Sequence, residues 1–323
     1  MSSRKNSTIT AVDGVRVGHS SDFHGGTGVT VILFDKPARG SVDITGLATS
    51  TRQIDSLEMI HPGIAVHGLC LAGGSAFGLD AASGAIRYLA EKGIGLDLIV
   101  AKVPVVPTAV IFDLSFMDAD ARPTPGMAYD ACTTASSLPV EQGCIGAGTG
   151  ATCGKLRGVV HATKSGLGSS LTPGAGGVLM GALVVANPFG DIRDEQGRII
   201  AGLRDDHGFI KMADEIAKGE VRERFGAPDN TTLCVLVTDA YMDKIMAMQV
   251  ARMAGQGLSR HISPFNTPLD GDMVFCFSVG GKKAHPLHLG VIAAHAASEA
   301  LLNAIRYARG MGGIPASRDI IGQ

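Results

Sequence analysis

The chain has no tryptophan among its 323 residues, and aromatic residues of all kinds make up 5% of it. Its core must therefore be built from aliphatic side chains and closely approaching backbones rather than large rings, and 44 glycines permit such approaches. Charge is scarce as well. Charged residues make up 18% and the formal net charge is −2, with no basic run, so the electrostatic footprint of a nucleic-acid partner is missing. Long apolar runs are absent: the two most apolar stretches, residues 64–79 and 94–112, are broken by glycine, proline or charge, which argues against a membrane span. Arg4 and Lys5 are not followed by an apolar run, so no secretory signal is expected. The six cysteines are scattered through apolar segments and read as reduced, buried thiols in a cytoplasmic protein rather than a disulfide framework.

What is present is a chain with 45% hydrophobic residues, long enough for one large α/β domain or two smaller ones. Short strands are expected at residues 14–19, 28–34, 40–44 and 63–71, with 28–34 and 40–44 as neighbours in a sheet. A helix capped by Ser75 follows, running to about Glu91 with Gly93 behind it. A second short helix is expected at 126–136. Residues 155–162 read as a strand that ends in a polar turn at 163–170, and 177–186 as a strongly apolar strand closed by Asn187-Pro188-Phe189-Gly190. Residues 191–228 are the most polar part of the chain and read as an exposed linker. Helices over 240–255 and 287–307 flank a core strand at 273–279. No cofactor or metal is expected. Gly146-x-Gly148 lacks the strand before and the helix after that a nucleotide loop requires, and His285-x-x-His288 has no adjoining glutamate.

One stretch carries more chemistry than the rest. Pro228-Asp229-Asn230 is a turn, residues 232–237 are a β-branched, apolar strand, and Asp239 is placed to cap the next helix. Thr231 thus stands where a loop enters a core strand. A threonine hydroxyl is a weak nucleophile unless a base takes its proton. An N-terminal threonine has such a base in its own α-amine, whose pKa is roughly 7.7–8.0. Cutting the chain between Asn230 and Thr231 would create it, by attack of the hydroxyl on the Asn230 carbonyl, an N-to-O acyl shift and hydrolysis of the ester. Asn187, at the end of an apolar strand, is a candidate oxyanion donor. Asp270 and Asp272 have the spacing that puts two carboxylates on one side of an extended chain, where they would orient the Thr231 hydroxyl or bind a cationic substrate group.

Blocks spread over nearly the whole chain resemble the DmpA-type L-aminopeptidase/D-amidase-esterase family, which includes β-peptidyl aminopeptidases and nylon-oligomer hydrolases. They are Val15-Arg16-Val17-Gly18-His19, Gly73-Gly74-Ser75-Ala76-Phe77-Gly78-Leu79, Val103-Pro104 through Asp113-Leu114, Gly146-Ala147-Gly148-Thr149-Gly150-Ala151, Lys164-Ser165-Gly166-Leu167-Gly168, and Asn230-Thr231-Thr232 through Thr238-Asp239-Ala240. The resemblance implies a single α/β domain over 1–323 with a four-layer αββα sandwich, self-cleaved into a large subunit (1–230) and a small subunit (231–323). It implies Thr231 as nucleophile, Asn187 as oxyanion donor, Lys164 as a lysine near that donor, and Asp270 and Asp272 as the acidic pair of the nylon-oligomer branch. Tyr129 corresponds to a site tyrosine. A threonine with two aspartates, in place of the serine and serine–glutamate pair of the peptidase branch, favours amide bonds of small peptides or amino-amide oligomers as substrate. A homo-oligomer of the cleaved pair is expected, with no nucleic acid and no membrane as partner. Two other readings stay open: an acyltransferase of the ornithine acetyltransferase type, and an uncleaved, non-enzymatic scaffold.

Overall fold

Strands form where β-branched and apolar residues run on without a turn former, and the computed structural model, which describes residues 6–63, 65–221 and 230–321, builds its sheets from such runs. The main strands are β1 (Val15–Asp22), β2 (Thr27–Ile44), β3 (Val66–Ala72), β4 (Thr108–Val110), β5 (Leu167–Pro173), β6 (Leu179–Asn187), β7 (Thr231–Ala240) and β8 (Met273–Lys282). The long helices are α1 (Ala82–Glu91), α2 (Pro125–Thr134), α3 (Lys244–Ser259) and α4 (Pro286–Arg306).

Strands β5, β6, β7, β8 and the second half of β2 pair in that order, with β7 antiparallel to β6 and parallel to β8. The first half of β2 pairs with β1 and β3, and β3 with β4. Residues 28–34 and 40–44 are therefore not neighbouring strands. They are two halves of one strand that passes from one sheet to the other, with a register shift between Leu33 and Ala38 where residues 35–37 are exposed.

Side-chain alternation along β6 and β7 fills both faces of the first sheet. Leu183, Val185, Leu233, Val235 and Val237 pack with Ile32, Leu69, Phe275 and Phe277 between the sheets. Ala182, Val184, Cys234 and Leu236 face Ala251 and Ala254 of α3 and Ala297 and Ala300 of α4. On the outer face of the second sheet, Val29, Val31 and Cys70 meet Ala82 and Ala85 of α1 and Ala128 and Ala131 of α2. The result is a four-layer αββα sandwich. Full burial of each large aliphatic side chain contributes about 1.5–3 kcal/mol. Small residues let the layers close without large rings: a Cβ on Gly168 would lie 2.1 Å from the Ala300 carbonyl oxygen.

Several local expectations are corrected. Ser75 does not cap its helix: its φ is +53°, and the chain passes through a 3-10 turn (Ser75–Ala81) before α1. Asp113 instead accepts the Gly74 N–H at 2.6 Å and the Thr27 hydroxyl at 2.8 Å, and burial pushes its carboxyl up to about 6. Residues 155–162 form turns and a 3-10 segment (Val159–His161) rather than a strand, and much of the polar 163–170 run is buried, its second half lying in β5. The polar stretch from 191 is not a linker as far as 221, since it holds the strands Asp191–Arg193 and Ile199–Ala201 and the helix Met212–Ala217. Residues 222–229, with Pro228 and Asp229 of the expected turn, lie outside the described residues. Asp239 remains within β7, where it accepts the Leu179 N–H. Asp243 caps α3 instead, through the Met246 N–H. His285 caps α4 by accepting the Leu287 N–H. All six cysteines are free thiols.

Candidate active site

Three chain segments meet at one edge of the first sheet. Antiparallel β6 ends where β7 begins, which sets Asn187 directly opposite Thr231. Strand β8 runs parallel to β7, so the residues leading into it arrive at the same edge, and Asp270 pairs with Asn230. Thr231 and Asn187 have the same parity as Leu233 and Val185, which lie between the sheets, and strand alternation turns both toward that layer.

Thr231 is 4% exposed. Its Oγ1 donates to the carbonyl oxygen of Asn230 at 2.5 Å, and the Gly271 N–H donates to the same oxygen at 2.9 Å. Position 271 requires glycine, because a Cβ there would stand 2.6 Å from the Ala48 carbonyl oxygen and 2.9 Å from Thr231 Oγ1. Hydroxyl, peptide carbonyl and backbone donor are thus assembled at one point.

The acidic pair braces this arrangement. Asp272 accepts the Thr232 N–H at 2.6 Å and the Asn266 N–H at 3.3 Å. Asp270 accepts the Phe189 N–H at 2.9 Å, the Thr267 N–H at 3.2 Å and the Thr267 hydroxyl. Burial raises both carboxyls above the usual range. The Asp270 charge raises Asp272 further, and the N–H donors pull the other way. Each residue is 1% exposed and already receives protein donors. In this arrangement the pair holds the backbone around Thr231.

Asn187 is fully buried. Its Nδ2 donates to the Phe112 carbonyl at 3.1 Å, and its Oδ1 accepts the Thr152 N–H at 3.1 Å and Lys155 Nζ at 2.7 Å. Lys155 also donates to the Asn187 backbone carbonyl at 3.1 Å. A cation on Oδ1 draws electron density from the amide and makes the Nδ2 hydrogens better donors. The lysine touching Asn187 is therefore Lys155, and Lys164 stands one segment further away. Lys164 is wholly buried, donates to the carbonyls of Ala151 and Ser165 at 2.7 Å each, and lies 5.3 Å from the Phe116 ring centroid. Burial lowers its pKa. Its strand partner is Thr152, so it supports the segment that holds Asn187 without bonding to it. Tyr129 is not brought to this site by its contacts: it lies on α2, donates to Glu91 at 2.7 Å, and packs edge-on against Tyr88 of α1.

Sequence reasoning missed Lys155, Thr267 and Gly271. No motif marks them. Only a glycine between two aspartates offered a signal, and it reads equally well as a polar turn.

The fold is an αββα sandwich with Thr231 at the head of a central strand, between the two sheets. The chain belongs to peptidase family S58, whose model matches residues 7–318. It is 34% identical to an uncharacterized aminopeptidase of Mycobacterium tuberculosis over 97% of both chains. It is 30% identical to a 6-aminohexanoate-oligomer endohydrolase of Kocuria sp., over 81% of this chain and 72% of that protein. Among solved structures, a Burkholderia sp. beta-aminopeptidase superposes with a TM-score of 0.73 at 20% identity, covering 99% of this chain and 93% of that one. An L-aminopeptidase D-Ala-esterase/amidase from Ochrobactrum anthropi, described as a variant of the Ntn hydrolase fold, gives 0.72 at 20% identity, covering 96% and 88%. Family membership makes the protein a hydrolase.

Proposed function

We propose that this protein is a self-processing N-terminal-threonine hydrolase of amide bonds, acting on small peptides or amino-amide oligomers. The observation that carries the reading is the Thr231 hydroxyl 2.5 Å from the carbonyl oxygen of its own upstream peptide bond, with the Gly271 N–H on that oxygen. In the processing step Thr231 Oγ1 attacks the Asn230 carbonyl carbon, and Gly271 N–H receives the developing negative charge. The C–N bond breaks as the ester forms, and the amine takes the proton. Water then releases residues 1–230 with a new carboxylate at Asn230.

The freed α-amine serves the second reaction. It accepts the hydroxyl proton as Oγ1 attacks a substrate amide and returns it to the leaving amine. Nδ2 of Asn187, polarised through Lys155, is the donor for the substrate oxyanion. Asp270 and Asp272 fix the backbone from which the nucleophile projects. The named activities of the mycobacterial and Kocuria relatives support the substrate class.

Intact mass of the purified protein beside Thr231→Ala tests the proposal. Two fragments, 1–230 and 231–323, are expected in the parent alone. A single uncut chain in both after long incubation overturns it.

A further inference from the structure

Beside the site lies a cavity of about 280 Å³ with almost no polar lining, bounded by Leu156, Phe189, Pro264, Thr267, Leu269 and the rim residue Val221. Its walls are the immediate chain and hydrogen-bond neighbours of the site. Leu156 follows Lys155, which bonds Asn187. Phe189 and Thr267 both donate to Asp270. Leu269 offers its carbonyl to the Asn230 side chain, through a long contact of 3.4 Å from Nδ2.

Asn230 marks a direction. In the intact chain it supplies the acyl half of the bond that faces Thr231, so its side chain lies on the acyl side of the nucleophile. Asparagine is poorly served there: its Oδ1 is buried and, among the described residues, finds no hydrogen-bond donor. Leaving such an acceptor unsatisfied costs on the order of 1–3 kcal/mol. An apolar group at the same point would strand no polar atom, and Leu269, whose carbonyl meets the Asn230 side chain, is a wall of the cavity. A charged group would enter an apolar pocket whose flanking charges are already engaged, Asp270 by Phe189 and Thr267 and Arg157 by Glu215 and Glu220. At about 280 Å³ the space is at the small end for a ligand pocket and matches a side chain rather than a long oligomer.

We propose that this cavity is the acyl-side subsite of Thr231 and selects amides whose acyl group carries an uncharged, apolar side chain. The proposal rests on the reading of Thr231 as nucleophile given above. It places specificity in Leu156, Phe189 and Leu269, with Val221 at the mouth.

The test is a series of aminoacyl p-nitroanilides carrying glycine, leucine, phenylalanine, glutamate and lysine, assayed on the parent, Val221→Asp and Leu156→Trp, with intact mass recorded for each. Val221 is 66% exposed, so a carboxylate at the rim is compatible with folding even if the tryptophan variant is not. The parent should favour leucine or phenylalanine over glycine by at least roughly 10–200-fold in kcat/KM, the range an apolar pocket gives for a single methylene. The leucine-to-glycine ratio should fall at least several-fold in Val221→Asp, with the lysine substrate gaining relative to leucine. A processed parent with equal rates for glycine and leucine, or an unchanged ratio in Val221→Asp, overturns the subsite while leaving the nucleophile in place. No processing and no hydrolysis of any anilide overturns both readings.

Discussion

Replacing Asn187 separates what its two side-chain atoms do. Asn187→Ala removes the acceptor of the Thr152 N–H and of Lys155 Nζ together with the Nδ2 donor. A buried N–H without an acceptor costs about 1–3 kcal/mol, and a lost hydrogen bond to a charged group about 1.5–3 kcal/mol. The sum is large against a typical total stability of about 5–15 kcal/mol. At about 2–4 °C per kcal/mol, the melting temperature should drop on the order of 10 °C. Asn187→Asp keeps both acceptors and attracts Lys155 more strongly, yet it has no N–H to offer and puts a negative charge beside the developing oxyanion. It also turns an oxygen toward the Phe112 carbonyl in place of Nδ2, so its melting temperature should fall, though by less than in Asn187→Ala, and it should still lose at least about 10²–10³ in kcat, the usual cost of one oxyanion donor. The assay is hydrolysis of leucine p-nitroanilide, with thermal melting and intact mass on the same samples. If Asn187→Asp is processed and retains activity within a few-fold of the parent, Asn187 is a structural residue and its assigned role fails.

The remaining predictions bear on the elements around Thr231. Gly271→Ala pushes a methyl against the Ala48 carbonyl and Thr231 Oγ1, so self-cleavage followed by mass over time should slow by about 10²-fold or more, and processing at the parent rate would remove Gly271 from the mechanism. Because Asp270 and Asp272 hold protons more tightly in the fold than in the unfolded chain, their contribution to stability is fully present below the ordinary carboxyl pKa of about 4 and is lost as pH rises through the raised values. Asp272→Asn keeps an oxygen for the Thr232 N–H and removes one titrating group. Its melting temperature should therefore fall less steeply with rising pH than the parent's, and parallel melting curves across pH 5–9 would contradict the shared burial of the pair.

The fold was legible where composition and period agreed. Residues 177–186 and 232–237 are long apolar or β-branched runs, and both became central, buried strands. The two strands read from 28–34 and 40–44 were one, because an exposed kink such as residues 35–37 looks like a turn until its two sides are seen to pair with different sheets. Polar character misled at 163–170 and 191–221, since buried backbone partners can satisfy serines, threonines and aspartates that sequence reasoning assigns to solvent. Asp191, for example, accepts the N–H groups of Leu203 and Met212. Tyr129 and Lys164 came with the resemblance, and their contacts place them on an α1–α2 surface and in a bracing position behind Asn187.

The sequence by itself determined the layer-forming segments, the threonine at a strand entrance and, through its ordered blocks, the family. Those features are local or cumulative, and both kinds survive in a one-dimensional string. Only the tertiary structure decided that Asn187, Thr231 and the Asp270–Asp272 turn share one sheet edge. Their meeting depends on β6 running antiparallel and β8 parallel to β7, which chain order does not encode. The same pairing brought the unmarked Lys155 to Asn187 and the Gly271 N–H to the Asn230 carbonyl. A hydrogen bond of about 3 Å between residues far apart in the chain is fixed by how strands register and layers pack, and no local propensity foretells it.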